Sequence, residues 1–262
     1  MLLKLLLPFA LLLALSTAQS CSSKQCKTCW DYYKEGSRVD GCSYDIYLPR
    51  SQTAREDRFK ACCDMTGGGF TVIMRRFNGS LDFKRDMVVY QSGFGAMKEK
   101  SEFWMGLERI HRLSTQCGLS YARFDLEFCG GDQKPSYADY GLFKVTQKGP
   151  GYGVHYVLNL AQHRGPAVDG FELTNPKYSP NGRAFSARDW DHDGWSKNCA
   201  NHYGAGGGWW YFKCGYSWPT AAYNCPRKLD CQGANARGMN WRTAKDCTPL
   251  SALTIKIRPS PF

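Results

Sequence analysis

The residues best suited to chemistry form a loop at residues 189–199, where aspartates occupy alternate positions ahead of a glycine and a cysteine. The three aspartates are Asp189, Asp191 and Asp193. Alternating carboxylates can direct several hard oxygen atoms at one centre, which is what Ca²⁺ requires. The spacing also begins an EF-hand loop, but Ala200 occupies the twelfth position, where that loop needs a bidentate glutamate. A calcium site of another type and an aspartate-rich turn capped by its own side chains both remain open.

Catalytic motifs are missing from the rest of the chain. The sequence contains no Gly-x-Ser-x-Gly elbow, no His-Glu-x-x-His pair and no phosphate-binding loop. Of the five histidines, His111 lies on a predicted helix and His192 lies between two aspartates. Neither belongs to a recognisable catalytic motif. We therefore expect a binding protein and not an enzyme.

The N-terminus predicts a secretory signal peptide at residues 1–18. Lys4 precedes a short apolar run, and small residues follow at a typical cleavage position. The run is shorter than the roughly 20 residues that span a bilayer, and no other stretch is long and apolar enough. We expect a secreted, extracellular protein without a membrane span. It would consist of a short cysteine-containing linker at residues 19–28 and one domain at residues 29–262.

The charge and the surface motifs exclude some partners. The formal net charge is +11, and a basic surface can attract acidic glycans or anionic cell surfaces. The charges are scattered, however, so an ordinary solvated surface is the simpler interpretation. Nucleic-acid binding is not expected, because the chain has no nucleic-acid module. Asn78 begins an Asn-Gly-Ser sequon, which predicts an exposed and glycosylated turn.

Hydrophobic patterns predict the α+β fold class. Helices are expected at residues 30–36 and 103–113. Strands are expected at residues 43–48, 70–75, 121–128, 140–146 and 253–257. Residues 166–245 show little regular pattern and are rich in glycine, tryptophan, cysteine and aspartate. Such a stretch needs cross-links or a metal to stay ordered, and binding sites concentrate in stretches of this kind.

An ordered set of motifs extends from about Cys29 to the end of the chain. It includes Cys63-Asp-Met-Thr-Gly-Gly-Gly, Arg75-Arg-Phe-Asn-Gly-Ser, Glu102-Phe-Trp-Met-Gly, the aspartate loop, Trp209-Trp-Tyr and Gly238-Met-Asn-Trp. Together these motifs resemble the fibrinogen C-terminal domain family, which includes ficolins, tachylectins and angiopoietin tails. The resemblance implies a single disulfide-linked domain with a central antiparallel sheet and a loop-rich subregion that carries calcium and ligand sites.

The resemblance also implies specific calcium ligands and disulfides. The implied calcium ligands are the side chains of Asp191 and Asp193 and the backbone carbonyls of Trp195 and Lys197. Water would complete the coordination, and Asp189 would be peripheral. The implied disulfides are Cys29–Cys63 and Cys199–Cys214. The calcium loop and the second disulfide would then shape one surface.

The remaining cysteines are extra to the family pattern. The chain has thirteen cysteines, an odd number, so at least one is free or pairs with another chain. We expect local pairs between Cys117 and Cys129 and between Cys225 and Cys231. Cys21 or Cys26 would serve as the link in a disulfide-linked oligomer.

Acetyl-binding relatives hold an acetyl group beside the calcium loop. The implied ligand-binding positions in this chain are Tyr203, Lys213, Cys214, Asn235 and Ala236. Tyr203 matches an aromatic wall, Ala236 a small residue on the floor, and the backbone N–H of Cys214 the donor to the acetyl oxygen. The chain departs from the pattern at Gly215, where relatives have histidine, and at Asn235, where they have tyrosine.

These observations lead to two expectations about function. The first is a secreted, calcium-dependent, lectin-like recognition protein that binds glycans or acetylated surface ligands, with a role in innate defence. The alternative is a secreted protein-interaction module with the same fold and no sugar binding, such as a receptor ligand, a matrix component or a venom factor. The changes in the pocket wall favour the alternative.

Overall fold

The structure is a computed structural model that describes residues 26–49, 57–130, 134–149, 153–171, 173–203, 206–225, 238–241 and 248–261. The predicted signal peptide, Cys21 and two of the predicted ligand-binding positions, Asn235 and Ala236, lie outside the described residues. None of the helices in the described ranges has the length and apolar character needed to cross a membrane.

Short helices and longer strands make up the domain. The helices are α1 (Cys29–Lys34), α2 (Met87–Ser92), α3 (Leu107–Thr115) and α4 (Cys199–His202). The strands are β1 (Gly41–Leu48), β2 (Asp57–Asp64), β3 (Phe70–Arg76), β4 (Phe94–Gly95), β5 (Phe103–Trp104), β6 (Tyr121–Phe128), β7 (Ser136–Lys148), β8 (His155–Arg164), β9 (Asn240–Trp241) and β10 (Thr248–Arg258).

One antiparallel sheet organises the domain. Its strand order is β1-β2-β3-β10-β6-β7-β8. The last strand of the chain, β10, therefore lies in the middle and pairs with β3 on one side and β6 on the other. The alternation of apolar and polar residues along β10 suits this central position. Leu253, Ile255 and Ile257 are at most 1% exposed and point to the core. Between them, Lys256 faces the opposite side and is paired with two aspartates.

Helix α3 packs on β7 and fixes the role of one histidine. The Nδ1 atom of His111 lies 2.7 Å from the Val145 carbonyl oxygen, and the Val145 N–H donates to the Ser114 hydroxyl at 3.0 Å. His111 is therefore a structural residue, as its position on the helix suggested.

The helix predicted at residues 103–113 begins later than expected, at Leu107. The preceding pair, Phe103–Trp104, forms β5 and pairs with β3 and β4. The break is at Gly106, where φ is +104° and a Cβ atom would lie 2.8 Å from the Ser92 carbonyl carbon. The helical spacing of apolar residues extends back through Gly106 to Phe103, so it did not reveal that the helix begins only at Leu107.

Five disulfides connect the described cysteines. They are Cys26–Cys117, Cys29–Cys63, Cys42–Cys62, Cys129–Cys225 and Cys199–Cys214. Two of them, Cys29–Cys63 and Cys199–Cys214, are the pairs that the family resemblance implies.

The expected local pairs are corrected by the structure. Cys117 bonds to Cys26, and Cys129 bonds to Cys225. Proximity in the sequence was a poor guide, because the extended strand β6 runs between Cys117 and Cys129 and places them beyond its opposite ends. Cys26 is consequently used within the chain, so the expected interchain link through Cys26 is wrong for this structure.

Two buried charged residues join the sheet to the loop-rich region. Arg76, at the end of β3, is 1% exposed, and its Nη1 atom donates to the carbonyls of Pro219 and Ala221. Glu102 is 3% exposed and receives four backbone N–H groups, those of residues 77, 78, 79 and 81, at 2.7–2.9 Å. Burial alone would raise the pKa of Glu102, but these hydrogen bonds hold the pKa below its ordinary value.

Candidate functional site

The aspartate loop is anchored by hydrogen bonds to residues outside it. Asp189 accepts the Met87 N–H at 2.8 Å, and so satisfies one of the unpaired donors at the N-terminus of α2. The N–H of His192 donates to the Ser186 hydroxyl at 2.9 Å. Asp189 thus has a structural partner of its own, which suits the peripheral place that the resemblance gives it.

Asp191 and Asp193 share one small region of the loop. The Asp193 carboxylate accepts the Trp195 N–H at 2.8 Å and the Cys199 N–H at 2.7 Å. The Asp193 N–H in turn donates to the Asp191 carboxylate at 3.2 Å. Burial raises the pKa of Asp193, and the negative charge of Asp191 adds to that increase. The two like charges are thus close enough to destabilise each other.

This donor set fits a hard cation. Two carboxylates stand together, and in the described part of the chain no backbone N–H donates to the carbonyls of Trp195 or Lys197. Hard carboxylate and carbonyl oxygens are the ligands that Ca²⁺ takes, and a positive ion would remove the repulsion between the aspartates. Among the described residues, no three His, Cys, Asp or Glu side chains converge as a metal cluster. A site here would therefore depend on carbonyls and water as well as on Asp191 and Asp193.

The disulfide Cys199–Cys214 joins the aspartate loop to an aromatic wall. The ring of Tyr203 stacks on Trp218, with the centroids 5.3 Å apart and the planes at 25°. Trp218 is 1% exposed, and its Nε1 atom donates to the Cys214 carbonyl at 2.7 Å. Two predicted ligand-binding residues, Tyr203 and Cys214, are thereby brought together through Trp218, which the sequence analysis did not single out.

The aromatic contacts continue into the aspartate loop. The Trp195 ring lies 5.0 Å from the His202 ring and 5.6 Å from the Tyr203 ring. We call Trp195, His202, Tyr203 and Trp218 the aromatic wall. Because Trp195 is also a predicted calcium ligand through its carbonyl, a change in the loop would move one side of this wall.

The backbone beside the wall has an uncommon conformation. Three consecutive residues have positive φ angles: Lys213 at +43°, Cys214 at +67° and Gly215 at +64°. Non-glycine residues rarely adopt this region and do so mainly where the surrounding structure holds them. Lys213 is exposed and Cys214 is 5% exposed. Among the described residues, no backbone carbonyl accepts the Cys214 N–H.

Gly215 has a physical reason to differ from the family histidine. A Cβ atom at this position would lie 2.9 Å from the Tyr178 carbonyl oxygen. The neighbouring Tyr216 ring packs against Tyr178, with the centroids 4.7 Å apart. This tyrosine pair borders the region where relatives place histidine, and no motif in the sequence indicated it.

Other candidate residues are structural. Trp209, Trp210 and Tyr211 are at most 3% exposed and belong to the core. The His155 ring lies 4.1 Å from the ring of His192, which belongs to the aspartate loop. His192 contacts the Ser186 hydroxyl through its backbone N–H and not through its ring.

The comparison with known proteins decides the family. The family described as fibrinogen beta and gamma chains, C-terminal globular domain, matches residues 25–260. The chain belongs to this family. The match covers nearly all of the predicted domain, and the exact start at residue 29 stays a prediction. The fold is accordingly that of a fibrinogen-like domain, with a mostly antiparallel sheet and five disulfides among the described cysteines.

Sequence relatives of this fibrinogen-like domain include fibrinogen gamma chains. The human chain is 36% identical over 249 residues, which cover 89% of this chain and 52% of the relative. The rat chain is 34% identical over 249 residues, covering 89% of this chain and 54% of the relative. This chain thus spans about half the length of the curated relatives it matches.

Solved structures give the same fold. The fibrinogen-like globe domain of human ANGPTL2 has a TM-score of 0.71 and 28% identity, and covers 89% of this chain and 99% of its own. Lamprey fibrin D-dimer, complexed with the peptide ligand Gly-His-Arg-Pro-amide, has a TM-score of 0.71 and 28% identity. That alignment covers 90% of this chain and 74% of the lamprey chain.

Proposed function

We propose that this fibrinogen-like domain is a secreted recognition module that binds glycans or acetylated groups in a calcium-dependent manner, as a component of innate defence. The surface that binds is the aromatic wall together with the Cys199–Cys214 disulfide. The observation that carries the proposal is the stacking of Tyr203 on Trp218 next to Cys214, whose N–H is accepted by no backbone carbonyl among the described residues. An apolar wall with a few fixed polar groups is a common design for a small-ligand site.

Calcium would act here as a structural brace. Asp191 and Asp193 would hold the ion with the carbonyls of Trp195 and Lys197. The ion would neutralise the adjacent carboxylates and so fix the Trp195 side of the aromatic wall. Lys213 and Cys214 would complete the polar side of the ligand site. This role requires no covalent chemistry from the protein, in keeping with a binding function and not an enzymatic one.

Replacing Tyr203 tests the wall directly. We expect Tyr203→Ala to weaken binding to an acetylated ligand by about tenfold, since roughly 1.4 kcal/mol of stacking contact is removed. Tyr203→Phe should retain most of the affinity because it keeps the ring. The measurement is retention on a resin that carries N-acetylated sugars, loaded with calcium and eluted with EDTA. Equal retention of the alanine variant would contradict the assigned wall.

A protein or peptide ligand is the second candidate. The lamprey relative with the same fold is complexed with a four-residue peptide, and Gly215 departs from the acetyl-binding pattern in a way that the structure requires. A glycan array and a panel of extracellular proteins, both screened with calcium, would separate the two. Binding to proteins alone, with no acetylated or acidic glycan retained, would favour this second candidate.

A further inference from the structure

A cleft of about 310 Å³, which no residue of the aromatic wall lines, lies beside the turn that contains the glycosylation sequon. One side is formed by residues 79–84, including Ser80, Asp82 and Lys84, and the other by residues 220–223, including Tyr223. Its volume is at the lower end of the range for small-ligand sites, roughly 300 Å³ and above. The cleft is therefore large enough for a sugar ring.

Both sides of the cleft are held from below by buried charges. Glu102 accepts the N–H groups of residues 77, 78, 79 and 81, which fixes the sequon turn. Arg76 donates to the carbonyls of Pro219 and Ala221, which fixes the opposite side. The cleft is thus preformed, so an occupant would lose little binding energy in ordering it.

Asn78 immediately precedes Gly79 and Ser80, which line this cleft. It is exposed, and its Oδ1 atom accepts the N–H of Ser80 at 3.0 Å. Ser80 itself lines the cleft. The amide nitrogen of Asn78, the atom to which an N-linked glycan is attached, consequently lies within one residue of the cleft wall.

The lining suits a sugar that arrives from that side. The Tyr223 ring covers Gly79, where a Cβ atom would lie 2.7 Å from it, and the Tyr223 hydroxyl is fixed by the carbonyls of Phe77 and Ser251. Asp82 and Lys84 are exposed, and neither enters an ion pair with another described residue. The Asp82 carboxylate accepts the Lys84 N–H at 2.8 Å and keeps further acceptor capacity. A rigid aromatic face beside an exposed carboxylate and an exposed ammonium matches the apolar face and the hydroxyls of a hexose.

We propose that this cleft holds the first N-acetylglucosamine of a glycan attached to Asn78, so that the glycan is packed against the domain and does not extend freely into solvent. The proposal rests on the prediction that Asn78 is glycosylated. It is independent of the ligand site at the aromatic wall.

Two glycosidases separate a packed first sugar from a solvated one. The full chain would be secreted from cells that make only high-mannose glycans. Endoglycosidase H leaves one N-acetylglucosamine on Asn78, whereas peptide N-glycosidase F removes the whole glycan. We expect amide hydrogen exchange at residues 79–84 and 220–223 to be equally slow in the untreated and endoglycosidase-trimmed proteins, and severalfold faster after complete removal. Equal exchange in the trimmed and stripped proteins would overturn the proposal.

A matched pair of variants controls for the aspartate that complete removal creates at position 78. Ser80→Thr keeps the sequon and should exchange like the untreated protein. Ser80→Ala removes the sequon and should exchange like the stripped protein. Mass spectrometry of the tryptic peptide containing Asn78 tests the premise separately, and a secreted protein without any glycan there would overturn the proposal at that step.

Discussion

Calcium should raise the melting temperature of the metal-free protein, and Asp193→Asn should abolish that increase. Asp193 is partly buried, lies beside Asp191, and has a pKa raised by burial and by that neighbouring charge. An ion that binds only the folded state at 100 times its dissociation constant stabilises the protein by about 2.7 kcal/mol. For a domain of this size each kcal/mol corresponds to roughly 2–4 °C. Differential scanning calorimetry with calcium and with EDTA measures the shift.

Asp189→Asn is the matched control for this experiment. Asp189 belongs to the same loop but accepts the Met87 N–H at the start of α2. Its replacement should lower stability by at most about 1 kcal/mol, the typical value of a helix cap. The calcium-induced shift should remain complete in this variant. A shift of equal size in the Asp193 variant, or loss of the shift in the Asp189 variant, would contradict the assigned ligands.

Replacing Glu102 should produce the largest loss of stability among the single substitutions considered. We expect Glu102→Gln to lower the free energy of unfolding by about 2–4 kcal/mol, because the carboxylate accepts four backbone N–H groups and stands near the buried charge of Arg76. An amide keeps the size of the side chain but presents N–H groups where acceptors are needed. Chemical denaturation at neutral pH measures the difference.

The effect of Glu102 should depend on pH in a defined direction. Its folded-state pKa is lower than the ordinary value of 4.5, so its contribution is complete at pH values above 4.5 and is lost as the pH falls through the folded-state pKa. The stability difference between the natural chain and Glu102→Gln should therefore shrink below about pH 4.5. Glu99→Gln is a suitable surface control, because Glu99 is exposed and its carboxylate accepts a single N–H from the other described residues, that of Cys42. A difference that stays constant to pH 3 would contradict this role for Glu102.

The sequence predicted the strands whose apolar residues alternate and whose ends are marked by turns. The strand expected at residues 121–128 has those bounds in the structure, and the central strand β10 includes the residues expected at 253–257. It did not predict β2 or β8. In β2 the burial pattern does not alternate at Cys62 and Cys63, since both cysteines are buried by their disulfides. In β8 the polar residues at its end conceal the apolar pattern at its start.

The candidate site was predictable only where a residue type is tied to one kind of chemistry. The aspartate loop stood out because alternating carboxylates are typical of cation binding. The Cys199–Cys214 pair was implied by the family resemblance. Trp218 could not be assigned to the site from the sequence, because only its contact with Tyr203 distinguishes it from the core tryptophans. The tyrosine pair of Tyr178 and Tyr216 joins residues far apart in the chain, and no spacing rule brings them together.

The central position of β10 has a consequence for biosynthesis. Strands β3 and β6 are joined only through the last strand of the chain, so the sheet cannot close while the ribosome is still making residues 248–258. Until then the partly synthesised chain exposes two unpaired strand edges and several cysteines that can form wrong bonds.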